Sequence, residues 1–233
     1  MHSIQYQDLG TPATTGGAPV TLDIDGRSVT VPTGTSILRA AALAGVAVPK
    51  LCATDALKAF GSCRLCLVEI EGQKGLPASC TTLVAPGMRV TTESPRLRGI
   101  RKGIVELYVS EHPLDCDTCP ANHHCELQDV AADLGVTGSP YRVAADAGAS
   151  PAHAPACEAR RDESNPYFQF DPDLCIVCSR CVRACNDIQG TFALTVEGRG
   201  LASRIVASQA EPFLQSECVS CGACVESCPT GAL

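Results

Sequence analysis

The sequence contains no tryptophan, and aromatic residues make up only 4% of it, so few large side chains are present to fill a hydrophobic core. No apolar segment approaches the length of a membrane-spanning helix, and no membrane span is expected. The first eight residues lack a basic stretch followed by an apolar run, so no signal peptide is indicated. The formal net charge is −7 and no basic cluster stands out, which argues against nucleic acid as a partner. A cytoplasmic location is expected.

Nucleotide-binding and hydrolytic signatures are also missing. No G-x-G-x-x-G follows a predicted strand, so neither NAD nor FMN is expected on this chain. No Ser-His-Asp or paired-carboxylate arrangement is indicated, and we predict no catalytic residue. Cysteine, by contrast, is abundant, with 16 residues. In a chain without an export signal, cysteines are expected to bind metal rather than to form disulfides.

Two cysteine runs near the C-terminal end repeat one pattern. The first is Cys175-x2-Cys178-x2-Cys181-x3-Cys185, and the second is Cys218-x2-Cys221-x2-Cys224-x3-Cys228 followed by proline. In two-cluster ferredoxins the fourth cysteine of each run ligates the other cluster. This spacing predicts one [4Fe–4S] cluster at Cys175, Cys178, Cys181 and Cys228, and another at Cys218, Cys221, Cys224 and Cys185. Zinc is the rival metal, but it takes four ligands and has no use for eight interlocked cysteines.

Residues 19–95 predict a β-grasp ferredoxin after a flexible N-terminus, residues 1–18. Val20, Leu22 and Ile24 alternate with polar residues up to an Asp25-Gly26 turn, which is typical of a β-hairpin. A helix is expected from Thr35 or Ser36 to about Gly45, and two further strands around residues 67–70 and 88–92.

Four cysteines of this segment have a spacing that suits a [2Fe–2S] cluster: Cys52, Cys63, Cys66 and Cys80. A loop that brings three thiolates together is the plant-type arrangement, although that family has a shorter first gap. Gly61 before Cys63 lets the backbone pass near the sulfides. Zinc, or buried thiols at Cys52 and Cys80, remains the alternative interpretation.

Residues 96–136 predict a small helical domain with a histidine-ligated [4Fe–4S] cluster. A helix is expected from Ser94-Pro95 to about Ser110, with its apolar face at Leu97, Ile100, Ile104, Leu107 and Tyr108. It is followed by His112, Cys116, Cys119 and Cys125, where three cysteines need a fourth ligand. His112 is the predicted one, while His123 and His124 compete on residue type and are expected to face outward.

A short helix from Glu126 to Leu134 is expected to end at Gly135, and residues 137–165 are a predicted linker. The linker contains Cys157, which is interpreted as an uncoordinated thiol. Residues 166–233 form the predicted ferredoxin-like domain with two [4Fe–4S] clusters. The expected fold class is therefore α+β, with metal binding that supplies folding energy.

The stretches Phe60–Cys66, His112–Cys116 and the paired cysteine runs, in this order, resemble iron–sulfur modules of several oxidoreductases. These are the large NADH-side subunit of complex I, the diaphorase subunit of NAD-reducing hydrogenases, the N-terminus of iron-only hydrogenases, and the α subunit of NAD-dependent molybdenum or tungsten formate dehydrogenases. Leu51–Asp55, Asp162–Phe168 and Cys175–Cys185 look most similar to the formate dehydrogenase subunit.

This resemblance implies an electron-transfer subunit or domain of an NAD-linked formate dehydrogenase. Its expected partners are a flavin/NAD subunit and a molybdenum- or tungsten-pterin unit, on another chain or in a C-terminal domain beyond Leu233. An NAD-linked hydrogenase or a complex I-like NADH dehydrogenase is the alternative setting. A free ferredoxin-like carrier and a zinc-storage protein are two further interpretations, of which the carrier is disfavoured by the presence of four predicted clusters.

Overall fold

The computed structural model describes residues 8–141 and 161–233. The chain divides into two compact units, and the boundary between Arg101 and Lys102 falls inside a helix. The predicted domain boundaries at residues 18, 95, 136 and 165 stay predictions.

A four-stranded sheet organises the first unit. Its strands are β1 (Pro19–Ile24), β2 (Arg27–Pro32), β3 (Glu69–Ile70) and β4 (Arg89–Thr91), in the order β2-β1-β4-β3. Only the β1–β4 pair is parallel, and the other two pairs are antiparallel. The predicted hairpin is confirmed, and its turn residues Asp25 and Gly26 have φ values of 51° and 78°, as a type I′ turn requires.

The helix α1 (Ile37–Leu43) fixes the loop that carries Cys80. Ser36, one of the two residues predicted to start the helix, caps it by accepting a hydrogen bond from the Arg39 amide. Two amides of the first turn donate outside the helix, Ile37 N to Thr82 O at 2.9 Å and Leu38 N to Ser79 O at 3.0 Å. Helix amides that lack an internal partner therefore hold the chain on either side of Cys80.

The helix α2 (Pro95–Glu111) begins as predicted, and its buried stripe coincides only in part with the predicted apolar face. Ser94 Oγ accepts a hydrogen bond from Leu97 N at 3.2 Å, which confirms the N-cap. The buried stripe is Leu97, Arg101, Val105 and Val109, whereas Leu107 is 58% exposed. The predicted apolar face is confirmed in part, since Leu97 is buried and Ile100, Ile104 and Tyr108 are half-buried. The prediction did not include Arg101, Val105 and Val109, and it wrongly included the exposed Leu107.

The second unit consists of short elements around its cysteines. The helix α3 (Glu126–Leu134) ends as predicted at Gly135, which has the left-handed conformation. The helices α4 (Arg180–Arg183) and α5 (Ala223–Ser227) each follow the first two cysteines of a run. A hairpin of β5 (Leu194–Glu197) and β6 (Arg204–Ala207) lies between the runs, and the sequence analysis did not predict it.

The core of the second unit mixes aromatic side chains with cysteines of both runs. Phe213 makes edge-to-face contacts with Phe168 and Phe170, with ring centroids 5.1 and 6.0 Å apart. Cys181, Cys185 and Cys224 are buried in the same cluster. Packing and the candidate metal sites therefore occupy the same space.

Candidate metal centres

The four cysteines of the first unit form one buried group. Each is at most 2% exposed. Hydrogen bonds from the thiols of Cys63 and Cys80 lower the pKa of Cys52, and a hydrogen bond from Cys80 lowers the pKa of Cys66 to about 6. Hydrogen bonds to Cys52 in turn raise the pKa of Cys63 and Cys80. The thiols are thus close enough to share protons, and two of them favour the thiolate form that metals bind.

The loop that carries Cys63 and Cys66 is shaped by its backbone. Gly61 has φ 77°, and a Cβ there would lie 3.2 Å from Thr81 Cγ2, so glycine suits this position. The amide of Cys63 points to Cys52 Sγ at 3.5 Å. An N–H donor aimed at sulfur stabilises a thiolate ligand and tunes the metal that it binds.

Arg101 supports the same loop from inside α2. Its guanidinium donates to the carbonyl oxygens of Leu65 and Leu67, at 3.1 and 2.8 Å, and to Thr92 O at 2.8 Å. Leu65 and Leu67 flank Cys66, so the arginine fixes the backbone on both sides of a predicted ligand. Arg101 was not predicted from the sequence, because the apolar pattern of the helix does not single out a buried arginine.

Burial distinguishes His112 from the competing histidines. His112 is only 9% exposed and continues the buried stripe of α2, with its amide donating to Tyr108 O at 3.3 Å. His123 and His124 are exposed, in agreement with the prediction that they face outward.

The three cysteines that follow His112 lie near one another. Burial raises the pKa of the Cys125 thiol, and the charges of Cys119 and Cys116 raise it further. Cys125 is buried, and the other two are half-buried. The structure therefore gathers these thiols, while the ligation of a metal by His112 stays a prediction.

The two C-terminal runs exchange their last cysteines around two cavities. The first cavity is lined by Cys175, Cys178, Cys181 and Cys228 among other residues. The second is lined by Cys185, Cys218, Cys221 and Cys224 among other residues. The sets that the sequence predicted are thus brought together, three cysteines from one run and the fourth from the other.

Thiol electrostatics agree with these groupings. Burial raises the pKa of Cys175 to about 12, and the charges of Cys178 and Cys228 contribute. In the second set, burial raises the pKa of Cys224 to about 11, and the charges of Cys218 and Cys221 add to it. A positive metal centre is the usual way to hold several buried thiolates in one place.

Matching left-handed residues turn both runs around their cavities. Val177 and Ser179 have φ values of 51° and 62°, and the equivalent Ser220 and Gly222 have 54° and 78°. These turns direct Val177 N to Cys175 Sγ and Ser220 N to Cys218 Sγ, each at 3.4 Å. The internal repeat in the sequence is therefore also a repeat in backbone conformation.

The fourth cysteine of the first run has its own donors. Cys185 Sγ lies 3.3 Å from Ala193 N and 3.2 Å from Thr191 Oγ1. Ala193 N donates to the sulfur, and in the Thr191 contact either atom can donate. Both groups lie in the segment that leads into β5, so the unpredicted hairpin positions polar groups beside a predicted ligand. Donors of this kind tune iron–sulfur clusters by stabilising negative charge on sulfur.

The donor sets fit iron–sulfur clusters better than single metal ions. Within residues 8–141 and 161–233, no three His, Cys, Asp or Glu side chains are arranged to hold a single metal ion. A zinc ion would need its thiolates about 2.3 Å from one point. Sulfur-rich sets spread around cavities, with amides aimed at the sulfur atoms, suit a multi-iron cluster.

Two further predictions concern other parts of the chain. Cys157 lies outside the described residues, so its interpretation as an uncoordinated thiol stays a prediction. In the described part of the chain, every helix is too short or too polar to cross a lipid bilayer.

Family models match three consecutive segments. Residues 17–95 match a 2Fe-2S iron-sulfur cluster binding domain, and residues 101–140 match the NADH-ubiquinone oxidoreductase-G iron-sulfur binding region. Residues 165–233 match the ferredoxin-like domain of NADH-quinone oxidoreductase subunit 3.

Curated relatives are similar to nearly the whole chain. The NADPH-Fe(3+) oxidoreductase subunit alpha of Geobacter sulfurreducens is 40% identical over 92% of this chain and 24% of its own length. The NADP-reducing hydrogenase subunit HndD of Solidesulfovibrio fructosivorans is 36% identical over 92% of this chain and 36% of its own length. The chain thus spans between about a quarter and about a third of these relatives.

A solved structure matches over most of its own length. A chain of the NAD+-reducing [NiFe]-hydrogenase in the H2-reduced state aligns with a TM-score of 0.77 and 32% identity, over 92% of this chain and 86% of that one. The protein therefore belongs to the family of iron–sulfur proteins that share the NADH-ubiquinone oxidoreductase-G iron-sulfur binding region and that include a chain of NAD+-reducing [NiFe]-hydrogenase.

Proposed function

We propose that this chain is an electron relay with one [2Fe–2S] and three [4Fe–4S] clusters. The observation that most supports it is the crossed lining of the two cavities, each with three cysteines of one run and the last of the other. The proposed [2Fe–2S] ligands are Cys52, Cys63, Cys66 and Cys80. The proposed [4Fe–4S] ligands are His112, Cys116, Cys119 and Cys125; Cys175, Cys178, Cys181 and Cys228; and Cys218, Cys221, Cys224 and Cys185.

In such a relay the clusters and the protein have different roles. The clusters supply one-electron chemistry when bound, and the protein controls their burial, charge and hydrogen bonding. Amides of Cys63, Val177, Ser220 and Ala193 point to ligand sulfur atoms. These donors favour the reduced form, because reduction adds negative charge to the cluster.

The partners follow from the names of the relatives. Two are NADP- or NAD-reducing hydrogenases and one is an NADPH-Fe(3+) oxidoreductase. We infer a nucleotide-linked complex in the cytoplasm, with a flavin and NAD(P) site on another subunit at one end of the relay. The other end would meet the unit that oxidises the primary donor.

The hydrogenases among these relatives support hydrogen as the primary donor, and the matching family models support a complex I-like NADH dehydrogenase as a second setting. The assignment to an NAD-linked formate dehydrogenase stays a prediction that rests on the resemblance of Leu51–Asp55 and Asp162–Phe168. A hydrogenase and a formate dehydrogenase would differ only in the partner that delivers electrons, so the proposed role of this chain is the same in both.

The cluster content tests the relay. Anaerobically purified protein should contain about 14 irons per chain and a matching amount of sulfide, with EPR signals from both cluster types. Zinc without sulfide, or far fewer irons after reconstitution, would overturn the proposal.

The donor is tested on the native complex. Purification under anaerobic conditions should yield this chain together with a flavin subunit, and NAD(P) reduction should be assayed with hydrogen and with formate. Hydrogen-dependent reduction supports the hydrogenase setting, and reduction that depends on formate alone supports the dehydrogenase. A lone species near 24 kDa in native extract would instead indicate a free carrier.

A further inference from the structure

An ion pair between a buried arginine and a glutamate that is 39% exposed joins two of the cysteine groups in the second unit. Arg180 stands between Cys178 and Cys181 and is 3% exposed. Its two terminal nitrogens donate to both carboxylate oxygens of Glu126, at 2.6 and 2.8 Å. Glu126 is the residue directly after Cys125, so the pair connects the His112 group to the Cys175 group.

A backbone hydrogen bond makes the same connection. Glu126 N donates to Pro229 O at 2.8 Å, and Pro229 directly follows Cys228. This hydrogen bond joins the residue after Cys125 to the residue after Cys228. It therefore links the chain next to proposed ligands of two different clusters. Arg180 Nη1 also lies 3.4 Å from Ser227 O, the residue before Cys228.

Close packing completes the contact. A Cβ on Gly231 would lie 2.6 Å from Ala121 Cβ, inside the loop between Cys119 and Cys125. Gly231 has φ 69°, so both the space and the backbone conformation favour glycine there. The C-terminal segment thus lies directly against the Cys119–Cys125 loop.

We infer that the ion pair between Arg180 and Glu126 has two roles. It sets the reduction potentials of the proposed His112 and Cys175 clusters, and it fixes the position of these two sites relative to each other. This inference rests on the proposed clusters. The positive guanidinium raises the potential of the Cys175 site, because it stabilises the charge that reduction adds. The carboxylate beside Cys125 lowers the potential of the His112 site. Their pairing keeps either charge from acting alone in a buried environment.

Single and double charge variants test the electrostatic part. Glu126→Gln removes the negative charge beside the arginine, so both midpoint potentials should shift upward in an EPR-monitored redox titration of the full protein. Arg180→Gln should shift both potentials downward. The double variant Arg180→Gln with Glu126→Gln should return close to the wild-type potentials, because both charges are gone.

The matched control is an exposed ion pair in the same unit. Arg204 and Glu197 form a 2.8 Å pair in which the arginine side chain is 43% exposed, against 4% for Arg180. Arg204→Gln and Glu197→Gln should leave both potentials unchanged, since solvent screens these charges. Equal shifts in this control would overturn the inference.

Midpoint potentials that shift in opposite directions in the two single variants distinguish an electrostatic role of the ion pair from a structural one. A purely structural role predicts shifts of one sign, or cluster loss, in both single variants. If Arg180→Gln loads no cluster, then Glu126→Gln decides, because its amide oxygen still accepts from Arg180. Unchanged or lowered potentials in fully loaded Glu126→Gln overturn the inference but leave the proposed function standing. Failure of the wild type to hold clusters removes the proposed function itself.

The backbone link is tested by proline. Glu126 is the first residue of α3, where proline is tolerated, and Cys125 has φ −118° and ψ 112°, which suits a residue before proline. Glu126→Pro removes the amide donor, whereas the control Glu126→Ala keeps it. A chelator should remove iron from the His112 site at a rate that EPR can monitor. We expect this rate to be roughly fivefold higher in Glu126→Pro than in Glu126→Ala. Equal rates would show that this hydrogen bond does not hold the sites together.

Discussion

At the residue scale, single polar side chains inside the fold hold the predicted ligands in place. Arg101 is the clearest case, with three backbone carbonyls and a carboxylate around one guanidinium that is 1% exposed. Arg101→Met should lower the free energy of unfolding by about 3–5 kcal/mol, because buried carbonyls lose their donors. Denaturant unfolding measures it, and Arg98→Met on the exposed side of α2 should change stability by less than about 0.5 kcal/mol.

Arg101→Lys refines this prediction. A single ammonium cannot reach three carbonyls in the way that a planar guanidinium does. We expect a stability between those of the wild type and Arg101→Met. Wild-type stability in Arg101→Lys would mean that charge alone matters at this position.

His112 gives a second prediction at this scale. His112→Ala should remove about four irons per chain and one [4Fe–4S] EPR signal, while the [2Fe–2S] signal remains. The exposed His123 and His124 provide the controls, and alanine at either position should leave iron content unchanged. Iron loss on replacing His124 rather than His112 would reassign the ligand.

At the scale of elements, the sequence predicted those features that local chemistry decides. The Asp25-Gly26 turn, the Ser36 and Ser94 caps and the Gly135 helix end follow from short-range rules, and each is present. The cysteine groupings followed from the spacing of the repeat.

Features that depend on tertiary contacts were missed. The buried stripe of α2 includes Arg101, whose partners lie up to 36 residues earlier in the chain, so the apolar periodicity of the helix gave only part of its buried face. The β5–β6 hairpin has alternating Leu194 and Val196 but short strands, and its signal was overlooked between the two cysteine runs. The Arg180–Glu126 pair spans 54 residues and leaves no local pattern.

The paired left-handed turns lead to a prediction about backbone conformation. Gly222 has φ 78° and open space where a Cβ would lie, so Gly222→Ala introduces strain without a clash. The loaded protein should lose about 1–2 kcal/mol of unfolding free energy. Gly99 lies in the interior of α2 with equally open space, and there alanine has the higher helix propensity. Gly99→Ala should therefore raise the free energy of unfolding by about 1 kcal/mol. Thermal unfolding of both variants checks the two signs.

At the scale of the whole molecule, we expect folding of the second unit to depend on bound metal more strongly than folding of the first. The first unit has a four-stranded sheet with buried Leu22 and Ile24, and a helix with buried Ile37. The second has a core in which Cys181, Cys185 and Cys224 replace large side chains. Without metal, these thiols would leave that core underfilled.

Iron removal tests this difference. After chelation under reducing conditions, hydrogen exchange should stay slow in the β1–β2 hairpin and become fast at residues 175–228. Far-UV circular dichroism should show a partial loss of structure. Equal loss of protection in both units would contradict the prediction, as would full retention in the second.

The crossing of the two cysteine runs has a consequence for how the protein is made. Each site is completed by a residue that belongs to the neighbouring half of the repeat. If these sites hold the proposed clusters, iron bound at one half would bring the missing ligand of the other into position. We therefore expect maturation of this region to be cooperative, with few chains that carry a cluster at one site alone.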